Sequence, residues 1–156
     1  MLKAEAFMAE ALREAAKDEN EVPVGAVVVR DGEIIARAHN ERGGDAPVAH
    51  AEMLALTAAA EAKGAWRLSG TRLYVTKEPC PMCAGAIILA RPDTVVWGVS
   101  DPKRGGGTVF GIFDHPGINH HPQIVTGVLE EPCRNILQDF FRARRLAVQQ
   151  PGQSPG

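Results

Sequence analysis

An imidazole, a carboxylate and two thiols stand at spacings that can build a hydrolytic metal centre: His50-Ala51-Glu52, then Pro79-Cys80-Pro81-Met82-Cys83 about thirty residues later. Imidazole nitrogen and thiolate sulfur are donors that suit zinc. Three protein donors leave a tetrahedral ion with one open position, which separates a catalytic zinc from a structural one. Glu52 is then the carboxylate that moves protons beside that position. Taken singly, each half is weak. A Cys-x-x-Cys also fits a redox pair or half of a structural zinc knuckle, and a His-x-Glu alone says little. Together, each just ahead of a helical run and with a strand between them, they favour His50, Cys80 and Cys83 as ligands of one catalytic zinc. The third cysteine, Cys133, could close the site as a fourth ligand and make it structural. It lies in Glu-Glu-Pro-Cys-Arg-Asn at the start of the last expected helix, without a partner at ligand spacing, and reads instead as a buried, inert thiol.

Elements must carry these groups to one point. Cys80 and Cys83 share a face if a helix starts between them. Pro81 suits its first position, where no N–H is needed, and residues 84–90 are an apolar, helix-forming run. The positive end of that helix lies at the thiols and favours their thiolate form. His50 and Glu52, two apart, would point to different sides of a regular helix, so the metal must sit off a helix tip where first-turn side chains converge.

The rest of the chain supplies a scaffold. Phe7, Met8, Ala11, Leu12 and Ala15 form a stripe at helical spacing, which predicts an amphipathic helix over 3–19. Residues 22–25 break it, and strands at 26–29 and 34–38 flank Asp31-Gly32, a hairpin signal. Residues 43–47 form a loop leading to His50, a helix follows to Lys63, and Gly64 caps it. Strands are expected at 73–76 and 94–99, on either side of the cysteine helix, and that order implies a parallel crossover. The glycine-rich stretch 101–121 is a long loop, of a length that is usually functional or disordered. A last strand at 123–128 and a last helix at 131–148 follow. The expected architecture is α/β: three layers, with a mixed, mainly five-stranded sheet covered by helices on both faces. It forms one domain over 1–148, with a disordered Pro/Gly/Ser/Gln tail over 149–156.

Composition narrows the class. A chain of 156 residues with 45% hydrophobic and 23% charged residues has the length and make-up of one soluble domain. No apolar run approaches membrane-spanning length, and the first residues lack a signal-peptide core. Three cysteines, two of them given to a metal, suit a reducing cytoplasm. A formal net charge of −2 gives no global sign of nucleic-acid binding, so any such contact rests on a local patch.

The His-Ala-Glu and Pro-Cys-Pro-Met-Cys blocks resemble the signature of zinc-dependent nucleobase deaminases, whose fold is the cytidine deaminase-like one. The resemblance is more specific to the bacterial tRNA-specific adenosine deaminases and covers nearly the whole chain, from the opening helix to Arg145. It is carried by Asn20-Glu21-Val22-Pro23-Val24-Gly25-Ala26, Leu73-Tyr74-Val75-Thr76, Glu78-Pro79-Cys80 and Asp101-Pro102-Lys103. His115-Pro116-Gly117-Ile118-Asn119-His120 and Asp139-Phe140-Phe141-Arg142-Ala143-Arg144-Arg145 add to it. It implies hydrolysis of adenosine to inosine at the anticodon wobble position, with one catalytic zinc per subunit and Glu52 as proton shuttle. It further implies that Asn40 hydrogen-bonds the flipped base, assisted by the Ala51 N–H and with Val24 beside it. Asp101, Lys103, Arg104, Asn119, Phe141, Arg142, Arg144 and Arg145 would meet a tRNA anticodon stem-loop, and the protein would be a cytoplasmic homodimer.

Blander readings stand beside these. Asn40 could be a turn residue, Phe140 and Phe141 core residues with one at the surface, and the arginines a solvated helix end. His115, His120 and His121 suit loop-fixing hydrogen bonds or RNA contacts better than a second metal. Lys77, Pro92 and Gly105-Gly106-Gly107-Thr108 depart from the expected pattern. None of them is a zinc donor, so they bear on substrate range: a deaminase of free guanine, cytosine, cytidine or another nucleoside is the same-chemistry alternative. A non-enzymatic zinc or RNA-binding module is the alternative of another class, and Glu52 argues against it.

Overall fold

The asparagine and thiol segments are brought together by one mixed sheet. The computed structural model describes residues 2–41 and 46–148; Gly43, Gly44 and Asp45 of the expected loop and the expected tail at 149–156 lie outside them. β1 (Gly25–Arg30) and β2 (Glu33–His39) form the expected hairpin. Asp31 and Gly32 turn it with φ of 51° and 78°, the left-handed pair whose twist matches that of the flanking strands. β3 (Thr71–Lys77) lies antiparallel to β1, while β4 (Thr94–Val99) and β5 (Gln123–Thr126) continue the sheet in parallel. The strand order is β2-β1-β3-β4-β5.

The period of two in β1 divides the core. Ala26 and Val28 face one apolar layer with Ala55, Leu56, Ile87 and Trp97, while Val27 and Val29 face another with Met8, Ala11, Tyr74 and Cys133. The first layer is closed by α2 (Ala51–Lys63) and α3 (Pro81–Ala90), the second by α1 (Leu2–Ala15) and α4 (Glu130–Val148). Burying one Leu, Ile, Val or Met side chain is worth about 1.5–3 kcal/mol, so these two layers hold helices that would be marginal alone. α1 meets the sheet so closely that a Cβ on Gly25 would lie 1.9 Å from the Ala11 carbonyl oxygen.

Two elements end short of the sequence expectation. α1 stops at Ala15 because Asp18 Oδ1 accepts the Asn20 N–H at 3.0 Å, an Asx turn that competes with helix. β5 stops at Thr126, where Gly127 at φ 82° turns the chain and donates its N–H to the Trp97 carbonyl at 3.0 Å. Gly64 caps α2 as expected, at φ 73° and with its N–H on the Ala60 carbonyl. No helix among the described residues is long and apolar enough to cross a membrane.

Candidate functional site

Two helix N-termini are aimed at one point beyond the carboxyl ends of the parallel strands, where open α/β sheets bind ligands. His50 is the N-cap of α2 and Cys80 the N-cap of α3, both with extended backbone, and Pro81 opens α3 as its sequence anticipates. The N-cap position resolves the His50–Glu52 spacing: His50 leaves the chain before helical geometry begins, so both side chains reach the same side of the tip. His50 Nδ1 lies 3.6 Å from Cys80 Sγ and 3.4 Å from Cys83 Sγ, and the three donor atoms lie within 4.8 Å of one another. Tetrahedral zinc with bonds of about 2.3 Å to sulfur and about 2.0 Å to nitrogen separates such donors by roughly 3.6 Å. The residues therefore fit the ion, and His50, Cys80 and Cys83 form a candidate zinc site. Cys83 is buried while His50 and Cys80 are only half-buried, which leaves one side open.

The two thiols are driven in opposite directions by their proximity. The Cys83 thiol hydrogen-bonds Cys80 and, against the effect of burial and with backbone N–H groups of α3, holds Cys80 down at about 5. Cys83 is driven far upward, first by that same hydrogen bond and then by burial. Cys133 lies elsewhere: it is fully buried under Gly98, where burial raises its thiol to about 12. It is the inert thiol its surroundings suggested.

Glu52 sits in the first turn of α2 with 4% exposure. Burial is the main cause that pushes its carboxyl up to about 7, with the Cys80 charge adding to it and its own N–H, Cys83 and Lys77 opposing. A carboxyl of that pKa gives and takes a proton readily near neutral pH. Asn40, just past β2 and buried, accepts the Ala51 N–H on Oδ1 at 2.9 Å and donates from Nδ2 to the Val22 carbonyl at 3.2 Å. Those bonds fix the amide, and one Nδ2 hydrogen remains for a ligand. Val24, Asn40, His50, Glu52 and Cys80 line one cavity of about 310 Å³, together with Lys77, Asp101, Arg104 and Phe141.

A buried carboxylate holds the outer wall. Glu78, 3% exposed, accepts the N–H groups of Asp101 at 2.9 Å, Gly107 at 3.0 Å and Thr108 at 2.7 Å, and the Thr108 hydroxyl at 2.7 Å. A Cβ on Gly105 would lie 2.5 Å from that carboxylate, and one on Gly106 would lie 2.7 Å from Ala84 Cβ. The run of glycines is thus a consequence of close docking, and the stretch 101–121 is a tied loop containing a short 3-10 turn at Ile112–Asp114. Histidines help tie it: His120 Nε2 lies 2.8 Å from the Pro92 carbonyl, His121 Nδ1 3.2 Å from that of Phe113, and His115 Nδ1 accepts the Gly117 N–H. The sequence gave no local signal for Glu78, whose partners are 23 to 30 residues away.

A second cavity of about 590 Å³ adjoins the first and shares Lys77, Asp101 and Phe141 with it. Arg142 and Arg145 line it, and so does Arg134, which sequence reading passed over. Helical spacing could have found Arg134, since 134, 138, 141, 142 and 145 fall on one face of α4. Arg144 turns the other way, donating to the Asn20 carbonyl at 2.9 Å and stacking over Phe140 at 4.9 Å. Lys103 and Asn119 are exposed and line neither cavity. Neither phenylalanine is core: Phe140 is half-buried and Phe141 43% exposed. Their helix face has only Cys133 fully covered.

Residues 1–99 match the cytidine and deoxycytidylate deaminase zinc-binding region. A tRNA-specific adenosine deaminase of Bacillus subtilis (strain 168) is 51% identical over 149 residues, spanning 93% of this chain and 92% of that protein. A chloroplastic tRNA(adenine(34)) deaminase of Arabidopsis thaliana is 45% identical over 90% of this chain, though over only 12% of its own length. Among solved structures, one from studies of A-to-I editing by tRNA:A34 deaminases superposes with a TM-score of 0.81 at 43% identity, covering 85% of this chain and 99% of that one. A guanine deaminase of Nitrosomonas europaea superposes with a TM-score of 0.75 at 24% identity, covering 87% and 83%, and shares the fold.

Proposed function

Because the chain belongs to the cytidine and deoxycytidylate deaminase zinc-binding family, and within it to the tRNA-specific adenosine deaminases, we propose that it hydrolyses adenosine to inosine at the wobble position of a tRNA anticodon, releasing ammonia. The observation that carries the reading is the pair of adjoining cavities, a small one at Glu52 and the zinc donors that shares Lys77, Asp101 and Phe141 with a larger one lined by arginines. A free base needs only the first; a base delivered on a strand needs both.

When bound, zinc supplies the Lewis acidity that makes water a nucleophile near neutral pH. Glu52 takes the proton from that water and passes it to the ring nitrogen next to the amino-bearing carbon. The water oxygen bonds to that carbon; Glu52 then takes the second proton from that oxygen and gives it to the amine as the C–N bond breaks and the C=O forms, so adenosine and water give inosine and ammonia. Asn40 donates its remaining Nδ2 hydrogen to the base, and the Ala51 N–H acts by fixing that amide. Val24 packs beside the ring, which must leave the stack of the anticodon loop to arrive there. Asp101, Arg104, Phe141, Arg142 and Arg145 border the path of the strand. Lys103, Asn119 and Arg144 lie at the periphery of that path.

Two wider readings go with this. Trp66 and Leu89, 66% and 74% exposed, border a shallow apolar depression with Met53, Leu56 and Ala86 between α2 and α3. Apolar surface of this kind marks interfaces, and a homodimer would cover it. Cytoplasmic residence is the matching proposal for a bacterial-type tRNA-modifying enzyme. The test is inosine formation on an anticodon stem-loop with a wobble adenosine, run beside free adenosine, guanine, cytosine and cytidine. Turnover of the stem-loop alone supports the proposal; turnover of a free base alone overturns it.

A further inference from the structure

Lys77 is the one lysine or arginine, among the described residues, that lines both cavities. It is the last residue of β3, paired with Val99 of β4 at the carboxyl end of the parallel strands. Its Nζ lies 3.3 Å from Asp101 Oδ2, with the lysine side chain 32% exposed and the aspartate 13%. Asp101 does not depend on it for a partner, since Oδ1 already accepts the N–H groups of Lys103 at 2.9 Å and Arg104 at 3.1 Å. An ammonium has three hydrogens, and the aspartate occupies one direction only. An ion pair this open contributes little to stability. Its place where the linings of the two cavities meet is what distinguishes it.

We propose that Lys77 is a phosphate ligand for the substrate strand, holding the backbone where it passes from the arginine-lined cavity into the zinc cavity. The inference rests on the reading of the substrate as RNA. Arg134, Arg142 and Arg145 meet the strand on one side of this junction and Arg104 on the other. A strand whose base enters the inner cavity must pass Lys77, and a mobile point charge with free donors suits a phosphate there. Asp101 keeps the ammonium over the junction instead of letting it swing to solvent.

The test is the salt dependence of binding to an anticodon stem-loop, measured on zinc-loaded protein carrying Glu52→Ala so that the RNA is not consumed. Lys77→Leu, Lys77→Gln and Lys77→Arg are compared in that background, each with zinc content and melting temperature recorded. Loss of one phosphate contact on a single strand lowers the log–log salt slope by about 0.7. Lys77→Leu and Lys77→Gln are expected to show that change and roughly tenfold weaker binding at low salt, with Lys77→Arg restoring both. With Glu52 present, the loss is expected in KM and not in kcat. A parent that binds the stem-loop with the same slope in all variants overturns the inference, as does a slope that Lys77→Arg fails to restore. A fall in kcat without change of slope does too, and assigns Lys77 to the field around Glu52. A parent that does not bind the stem-loop at all overturns the RNA reading itself.

Discussion

Glu78 offsets its burial with four accepted hydrogen bonds, whereas Glu52 is buried to 4% exposure beside two thiols and an imidazole and its carboxyl is pushed up to about 7. The isosteric Glu52→Gln keeps the shape and the zinc donors but removes the group that carries protons. It is expected to retain one zinc per chain by metal analysis while kcat falls by about 10²–10⁴; a rate within tenfold of the parent would remove Glu52 from the proposed mechanism. Asp101 offers a separate test by pH. Burial, the largest influence on its carboxyl, would raise the pKa, but the Lys103 and Arg104 N–H groups and then Lys77 together hold it below the usual value. A folded pKa below the unfolded one, near 3.9, gives stability that is full above the unfolded value and lost as pH falls through the folded one. The stability gap between the parent and Asp101→Asn is expected to be constant near neutrality and to close in acid, by urea unfolding at several pH values. A gap that widens in acid would contradict it. The zinc donors and Glu52 were legible because their spacing is local: residues 50, 52, 80 and 83 need only two helix starts. Lys77 was visible only as an oddity, since the partner that gives it meaning, Asp101, is joined through folding.

Elements explain why that local code works. α2 and α3 each begin with a ligand as N-cap, so the sheet has only to bring two helix starts together, and the parallel β3-α3-β4 unit does so. The wall opposite depends on Glu78. Replacing it by Gln leaves one oxygen for four donors and turns an amide toward N–H groups. Glu78→Gln is expected to cost about 3 kcal/mol and to open residues 101–112 to protease before the rest of the chain. Parent-like stability and cleavage would show that the loop is held by something else. Hairpin, caps and strands could be read because Asp31-Gly32, Gly64 and Pro81 act on their neighbours. The end of α1 could not, because the stripe that predicts helix to residue 19 competes with an Asx turn at Asp18 whose strength periodicity does not carry. The fastening of the long loop was hidden for a like reason: its anchor lies on another element.

At the scale of the whole molecule, a net charge of −2 conceals a local basic face formed by Arg134, Arg142 and Arg145 beside the catalytic mouth. That arrangement allows RNA binding by a protein that is not basic overall. Trp66 and Leu89 are exposed on the other side, where the proposed homodimer would cover them. Leu89→Asp is expected to convert a dimer to a monomer in sedimentation at micromolar concentration; a parent already monomeric there would contradict the homodimer. The parallel pairing of β3 and β4 was legible from the helix between them, whereas the strand order and the meeting of two cavities at Lys77 are properties that no stretch of sequence contains.

The most direct measurement is mass analysis of nucleosides from an anticodon stem-loop incubated with the zinc-loaded protein in water labelled with heavy oxygen. Inosine carrying one solvent oxygen, formed only at the wobble adenosine and absent with Glu52→Gln, is the expected result. Unaltered adenosine, or inosine formed equally with Glu52→Gln, would contradict a hydrolysis carried by this site.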